Sequence, residues 1–311
     1  MNLLRVDHLP ISETPSGTVS QGYVQLELDI TLELPFTVVH GTHPGPTLLV
    51  TAGIHGAEYA SIEAAVRAAR TDPQSLSGTL VVLPIVSVPA YRARSIYINP
   101  IDRKNLNRQF PGEVDGTFSQ QLTAWLTENA IRSADAFIDL HGGDMIEALT
   151  PFTIFANGDT KAHELATTFG IPLLISSDPG GMSIAAGFSN GVPTILAEAG
   201  GNGLWPEHDV QWLEQGIKRV MQHLGMLEGM PEPLPTRLLT EFAWLRAAHD
   251  GLWYPTVAAG EMVREGQNLG RITDPFGTTL QEVAAPQDGV TLFAVTSLAI
   301  NNNDPLYGIG A

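Results

Sequence analysis

The sequence predicts an α/β domain on a mixed, largely parallel sheet with helices on both faces, followed by a small all-β domain. Three observations predict this: apolar runs alternate with helical periodicity early in the chain, a proline-rich break follows near residue 235, and helical periodicity is lost beyond it. The 311 residues, 43% of them hydrophobic, suffice for a large buried core and a second, smaller one.

Strand-like runs fall at 19–31, Thr47–Ala52, Thr79–Ile85, Ala136–Leu140, Phe152–Phe155 and Pro193–Ala197, several of them bounded by Gly or Pro. Between them lie helical patterns. The segment after Gly56 places Ile62, Ala65, Val66 and Ala69 on one face, with Glu63 and Arg67 paired at i,i+4 on another. A second helix over Glu207–Leu224 carries Val210, Leu213, Ile217, Val220, Met221 and Leu224 as its apolar stripe. The following segment, GMPEPLPTR, reads as a linker, so the expected domains are 1–238 and 239–311.

Past residue 239, short apolar runs are cut by Gly251, Gly260, Gly266, Gly270, Gly277 and Gly289, as in a small β-barrel or sandwich with tight turns. The stretch from Val257 to Gly270, with a later Asp288-Gly289-Val290, resembles the biotinyl/lipoyl-like barrel. No Lys follows Lys218, so a lysine-attached cofactor is excluded.

Composition removes several function classes. There is no cysteine, so disulfides are excluded and a tightly held zinc must use His and carboxylates. With 33 acids against 16 bases the net charge is −17, which argues against nucleic acid as a partner. The first 17 residues hold a single Arg and no apolar core of a signal peptide, and no apolar run could span a bilayer. The expectation is a cytoplasmic protein with no membrane partner, with a homo-oligomer left open. Five of the basic residues, Arg92, Arg94, Arg103, Lys104 and Arg108, crowd into positions 92–108 beside one acid, Asp102. Charge alone leaves two readings of that segment: an anion site or a solvated basic loop.

The chemistry-bearing residues sit at strand ends. The run Thr47–Ala52 leads into Gly53-Ile54-His55-Gly56-Ala57-Glu58, Ala136–Leu140 ends in His141-Gly142-Gly143, and Pro193–Ala197 ends in Glu198-Ala199-Gly200. In open α/β sheets the C-terminal strand edge is where ligands bind. Two imidazoles and a carboxylate are a standard set for catalytic zinc, which keeps a fourth position for water. The neighbouring glycines would permit close backbone approach. A lone His-x-x-Glu is usually incidental; the combination is what carries weight.

These motifs, together with Asn105-Leu106-Asn107-Arg108-Gln109-Phe110-Pro111-Gly112, occur in the order found in the succinylglutamate desuccinylase and aspartoacylase group. Over roughly residues 45 to 311 the chain resembles that family, which has the zinc carboxypeptidase-like fold. The resemblance implies one zinc ion (Zn2+) per chain on His55, Glu58 and His141, with Glu198 as general base. It implies that Asn107 and Arg108 hold a substrate carboxylate. It also implies an upstream Arg that polarises the scissile carbonyl, for which Arg103 is taken and Arg94 is the alternative. The family's aromatic hydroxyl is left open among Tyr97, Tyr254 and Tyr307, and Asp139 is read either as orienting His141 or as capping a turn.

The implied activity is a zinc-dependent amidohydrolase, a deacylase acting on a small carboxylate-bearing N-acyl amino acid or related N-acyl amine. The rival readings are a metallocarboxypeptidase acting on peptide C-termini and a zinc-binding module without turnover. The β-domain is expected to restrict the site to small substrates.

Overall fold

A computed structural model describes residues 3–311. The first part of the chain supplies β1 (Leu4–Val6), β2 (Thr18–Glu27), β3 (Thr31–His40), β4 (His43–Thr51), β5 (Ser77–Leu83), β6 (Ala136–His141), β7 (Glu147–Leu149), β8 (Phe152–Ala156), β9 (Leu173–Ser177), β10 (Thr194–Glu198) and β11 (Arg237–Leu239). All except β7 form one ten-stranded sheet in the order β1-β2-β3-β5-β4-β6-β10-β8-β9-β11. The pairings β2–β3, β3–β5 and β8–β10 are antiparallel and the others parallel, so the sheet is mixed and largely parallel.

The central strands are buried on both faces, which is why they read as unbroken apolar runs. Leu48 and Val50 of β4 point into a core shared with α1 (Tyr59–Ala68), α4 (Thr160–Phe169) and α6 (Glu207–His223). Leu49 between them points to the other face, where Phe118, Leu122 and Leu126 of α3 (Phe118–Asn129) cover it. Each such side chain contributes about 1.5–3 kcal/mol by leaving water. The remaining helices are α2 (Val88–Ala93) and α5 (Ser183–Ser189). The apolar stripe of α6 packs as its spacing requires, and Glu63 pairs with Arg67 at 2.9 Å on α1.

The expected single strand over 19–31 is a correction: the chain turns at Leu28–Ile30, and β2 and β3 pair antiparallel from Thr18↔His40 to Glu27↔Thr31. The two strands run together in sequence because no Gly or Pro marks the turn.

The C-terminal part is a sandwich of two antiparallel sheets. It contains β12 (Phe242–Arg246), β13 (Gly251–Pro255), β14 (Met262–Val263), β15 (Asn268–Thr273), β16 (Thr279–Ala284), β17 (Gly289–Val295), β18 (Ala299–Ile300) and β19 (Pro305–Gly310). One sheet runs β12-β19-β17-β14 and the other β16-β15-β13-β18, enclosing Trp253, Leu269, Ile272 and Tyr307. The two parts are interwoven. Strand β7 leaves the first part to pair with β17, while β11 straddles residue 238 and still belongs to the large sheet. No helix among the described residues is long and apolar enough to cross a membrane.

Candidate active site

Parallel pairing of β4, β6 and β10 brings their C-terminal ends to one edge. The register sets Thr51 opposite Asp139 and His141 opposite Glu198. After β4 the chain passes through His55 and enters α1, with Glu58 at its N-cap. Two glycines make this possible by close approach. A Cβ on Gly56 would lie 2.1 Å from the Tyr91 nitrogen, and one on Gly142 would lie 2.4 Å from the Ala199 carbonyl oxygen.

His55, Glu58 and His141 converge, with one ligand atom from each within 4.8 Å of the others. His55 Nδ1 lies 2.7 Å from Glu58 Oε1, and His141 Nδ1 lies 3.0 Å from Oε2. The far nitrogen of each ring is already engaged: His55 Nε2 sits 3.0 Å from Asn105 Oδ1, and His141 Nε2 sits 3.0 Å from Asp139 Oδ2. Every ring nitrogen of the pair therefore faces an acceptor, Nε2 an amide or carboxylate oxygen and Nδ1 an oxygen of Glu58. Glu58 Oε2 is buried and receives no hydrogen bond. Two imidazole nitrogens converging on a buried carboxylate, one oxygen of which is orphaned, are favourable only with a cation between them, a proton or a metal ion. The donor set fits a divalent metal of the zinc class. Asp139 is held in turn by hydroxyls of Thr51, at 2.5 Å, and Ser183, so the ring it touches is fixed from behind.

The electrostatics favour positive charge inside this triad. Burial pushes both imidazoles down, but carboxylates reverse it: Glu58 raises His55, and Asp139 with Glu58 holds His141 well above the usual histidine range. Burial likewise pushes Glu58 up, and the two rings bring it to about 2. Glu198 goes the other way. Burial raises it well above the carboxylate range, His141 opposes, and Glu58 and Glu147 reinforce. Its Oε2 is buried without a partner.

The triad and Glu198 open into one cavity of about 620 Å3 that Asn107 and Arg108 also line. Asn107 Oδ1 accepts the Ser183 N–H at 2.8 Å, leaving the amide NH2 as its free donor group. Arg108 donates to the Asn107 carbonyl at 2.7 Å. Arg103 and Arg94 do not line this cavity. The basic cluster therefore divides, with Lys104 bound to Gln120 at 2.9 Å and only Arg108 reaching the site. Among the tyrosines, Tyr97 lines the cavity, Tyr307 is buried in the β-sandwich donating to Val257, and Tyr254 stacks under Arg271.

Sequence reasoning named Tyr97 but missed other wall residues, Glu147 and three on β12. Tyr97 donates to Glu147 at 2.7 Å, and burial, with Glu58 and Asp144 nearby, lifts that carboxyl to about 7 against the Tyr97 bond. Phe242, Trp244 and Arg246 reach the same cavity from β12. Their alternation in Phe-Ala-Trp-Leu-Arg is the only signal that could have found them.

Comparison with known proteins agrees with this architecture. The family model for the succinylglutamate desuccinylase/aspartoacylase catalytic domain matches residues 44–224. The N-alpha-acetyl-L-2,4-diaminobutyric acid deacetylase of Halomonas elongata is 28% identical over 322 residues, covering 96% of this chain and 94% of the relative. A succinylglutamate desuccinylase/aspartoacylase structure from Rhodobacter sphaeroides superposes with a TM-score of 0.85 at 29% identity, covering 94% of this chain and 95% of that one. The product-bound ectoine utilization protein EutE (DoeB) of Ruegeria pomeroyi superposes at 0.86 with 26% identity, covering 96% and 97%.

Proposed function

The chain belongs to the succinylglutamate desuccinylase/aspartoacylase family, and from that premise we propose that it is a zinc-dependent deacylase of small N-acyl amino acids or related N-acyl amines. One observation carries the reading: two imidazole Nδ1 atoms converge on the oxygens of the buried Glu58, with a second buried carboxyl, Glu198, in the same cavity. About one zinc ion per chain would be held by His55, Glu58 and His141.

Zinc, when bound, would polarise the scissile carbonyl and acidify a water molecule. Glu198 accepts a proton from the attacking water and returns it to the leaving nitrogen, giving a carboxylate and a free amine. A carboxyl that burial raises above the usual carboxylate range holds a proton more readily and so suits the return of that proton to the leaving nitrogen. Arg108, with the free amide NH2 of Asn107, holds the carboxylate of the amine half and orients the amide.

A cavity of about 620 Å3 walled by a second domain supports a small substrate over the carboxypeptidase reading, which requires room for a polypeptide. The relative from Halomonas elongata suggests starting from Nα-acetyl-2,4-diaminobutyrate. Purified protein should hydrolyse one or more members of a panel of N-acetyl and N-succinyl amino acids, lose activity to a chelator and regain it with zinc. Zinc-loaded protein inert on the whole panel, but trimming peptides, would replace this reading by the carboxypeptidase one.

A further inference from the structure

We infer that Arg246 of β12 forms, with Arg108, a two-guanidinium clamp on the substrate's α-carboxylate, one arm from each domain. This rests on the deacylase reading above for the identity of the carboxylate, but the clamp itself rests on charges in the cavity wall.

Most arginines of the described residues pair with no carboxylate, so the lack of a partner carries weight only where two of them share one cavity. Among the described residues, arginine ion pairs are made by Arg5, Arg67 and Arg132. Neither Arg108 nor Arg246 is in one, although both line the cavity. Each is instead held by a backbone carbonyl, Arg108 by Asn107 at 2.7 Å and Arg246 by Asn303 at 2.8 Å. Arg246 also lies over the Trp244 indole, 5.5 Å from its centroid. The two positive charges feel each other: burial lowers Arg108 most, Glu198 opposes, and Arg246 lowers it further. Two like charges held by separate anchors at one cavity are mutually repulsive until an anion lies between them. The planar forks suit a carboxylate, which offers four acceptor sites to two guanidinium groups. A clamp of this kind makes the β-sandwich part of the binding site and not only a screen in front of it.

The test compares Nα-acetyl-2,4-diaminobutyrate with its α-carboxamide in wild type, Arg246→Met, Arg246→Lys, Arg108→Met and the double variant. Wild type should prefer the acid by roughly thirty-fold in kcat/KM, within the range for losing hydrogen bonds to a charged group. Arg246→Met should lose most of that preference through KM, Arg246→Lys should keep part of it, and the double variant should lose less than the product of the two single losses. Equal losses on acid and carboxamide would overturn the proposal by making Arg246 a packing residue. A defect confined to N-succinyl or other dicarboxylate substrates would overturn it by placing a second carboxylate at Arg246. If wild type hydrolyses neither probe, the deacylase reading fails while the clamp stays testable by calorimetric binding of 2,4-diaminobutyrate. Weaker binding by Arg246→Met than by wild type would support the clamp, and equal binding would sink it.

Discussion

At the scale of single residues, the site works by leaving certain groups unsatisfied. Glu58 Oε2 and Glu198 Oε2 are buried acceptors without donors, and Arg108 is a guanidinium without a carboxylate. Each points to a ligand of opposite charge, a metal, a proton or a substrate anion. Changing Arg108 to Met should cost roughly 2–5 kcal/mol in kcat/KM on an acidic substrate, with zinc content unchanged. A variant that turns over the acid as wild type does would return Arg108 to the class of solvated loop residues. The triad also predicts a pH dependence. Because His55 and His141 are raised, they hold protons to higher pH than ordinary histidines, and zinc must displace those protons. Zinc affinity, measured by competition with a chelator, should therefore rise from pH 6 to pH 8; a flat profile would mean that no ligand proton is displaced.

At the scale of elements, what could be read from the sequence followed the local signal. Strands β4, β6 and β10 are buried on both faces, so their apolar runs stood out and placed His55, His141 and Glu198 at their ends. Strand β7 is three residues long and pairs only with β17, far along the chain, so nothing local announced it. With it went Glu147, whose carboxyl is defined by contacts that only the folded chain creates. Glu147→Gln tests that environment, since the amide oxygen can still accept from Tyr97. A carboxyl raised from 4.5 to about 7 binds its proton more tightly when folded. Its contribution to stability is thus fully present below pH 4.5 and is lost as pH rises through about 7. Relative to wild type, the Gln variant should gain stability as pH rises from about 5 to 8, by at most about 3 kcal/mol. A Tm difference independent of pH would show that Glu147 ionises normally.

At the scale of the whole molecule, residues from both sides of the boundary that the sequence suggests near residue 238 line one cavity. Arg246 was invisible as a site residue because its meaning depends on β12 standing across from Arg108, which no spacing encodes. The proline-rich linker was legible; the crossing of β7 into the sheet of the C-terminal part was not. A chain truncated near Pro235 should therefore not be a simple open-mouthed enzyme. Removing β11 and β17 uncovers Phe152 and Ile175, which pack against Leu239 and Leu292, and leaves β7 unpaired. The truncated chain should aggregate or lose at least several kcal/mol of stability. A soluble fragment melting like the full chain would show that the domains are independent.

The central claim, one zinc held by the triad with Glu198 kept for proton transfer, is tested most directly by zinc stoichiometry in Glu58→Gln and Glu198→Gln under the same mild chelator, with turnover recorded beside it. Glu198→Gln should retain about one zinc per chain while turnover falls by about 10²–10⁴. Glu58→Gln should lose metal and activity together. Loss of zinc from Glu198→Gln with retention by Glu58→Gln would contradict the account.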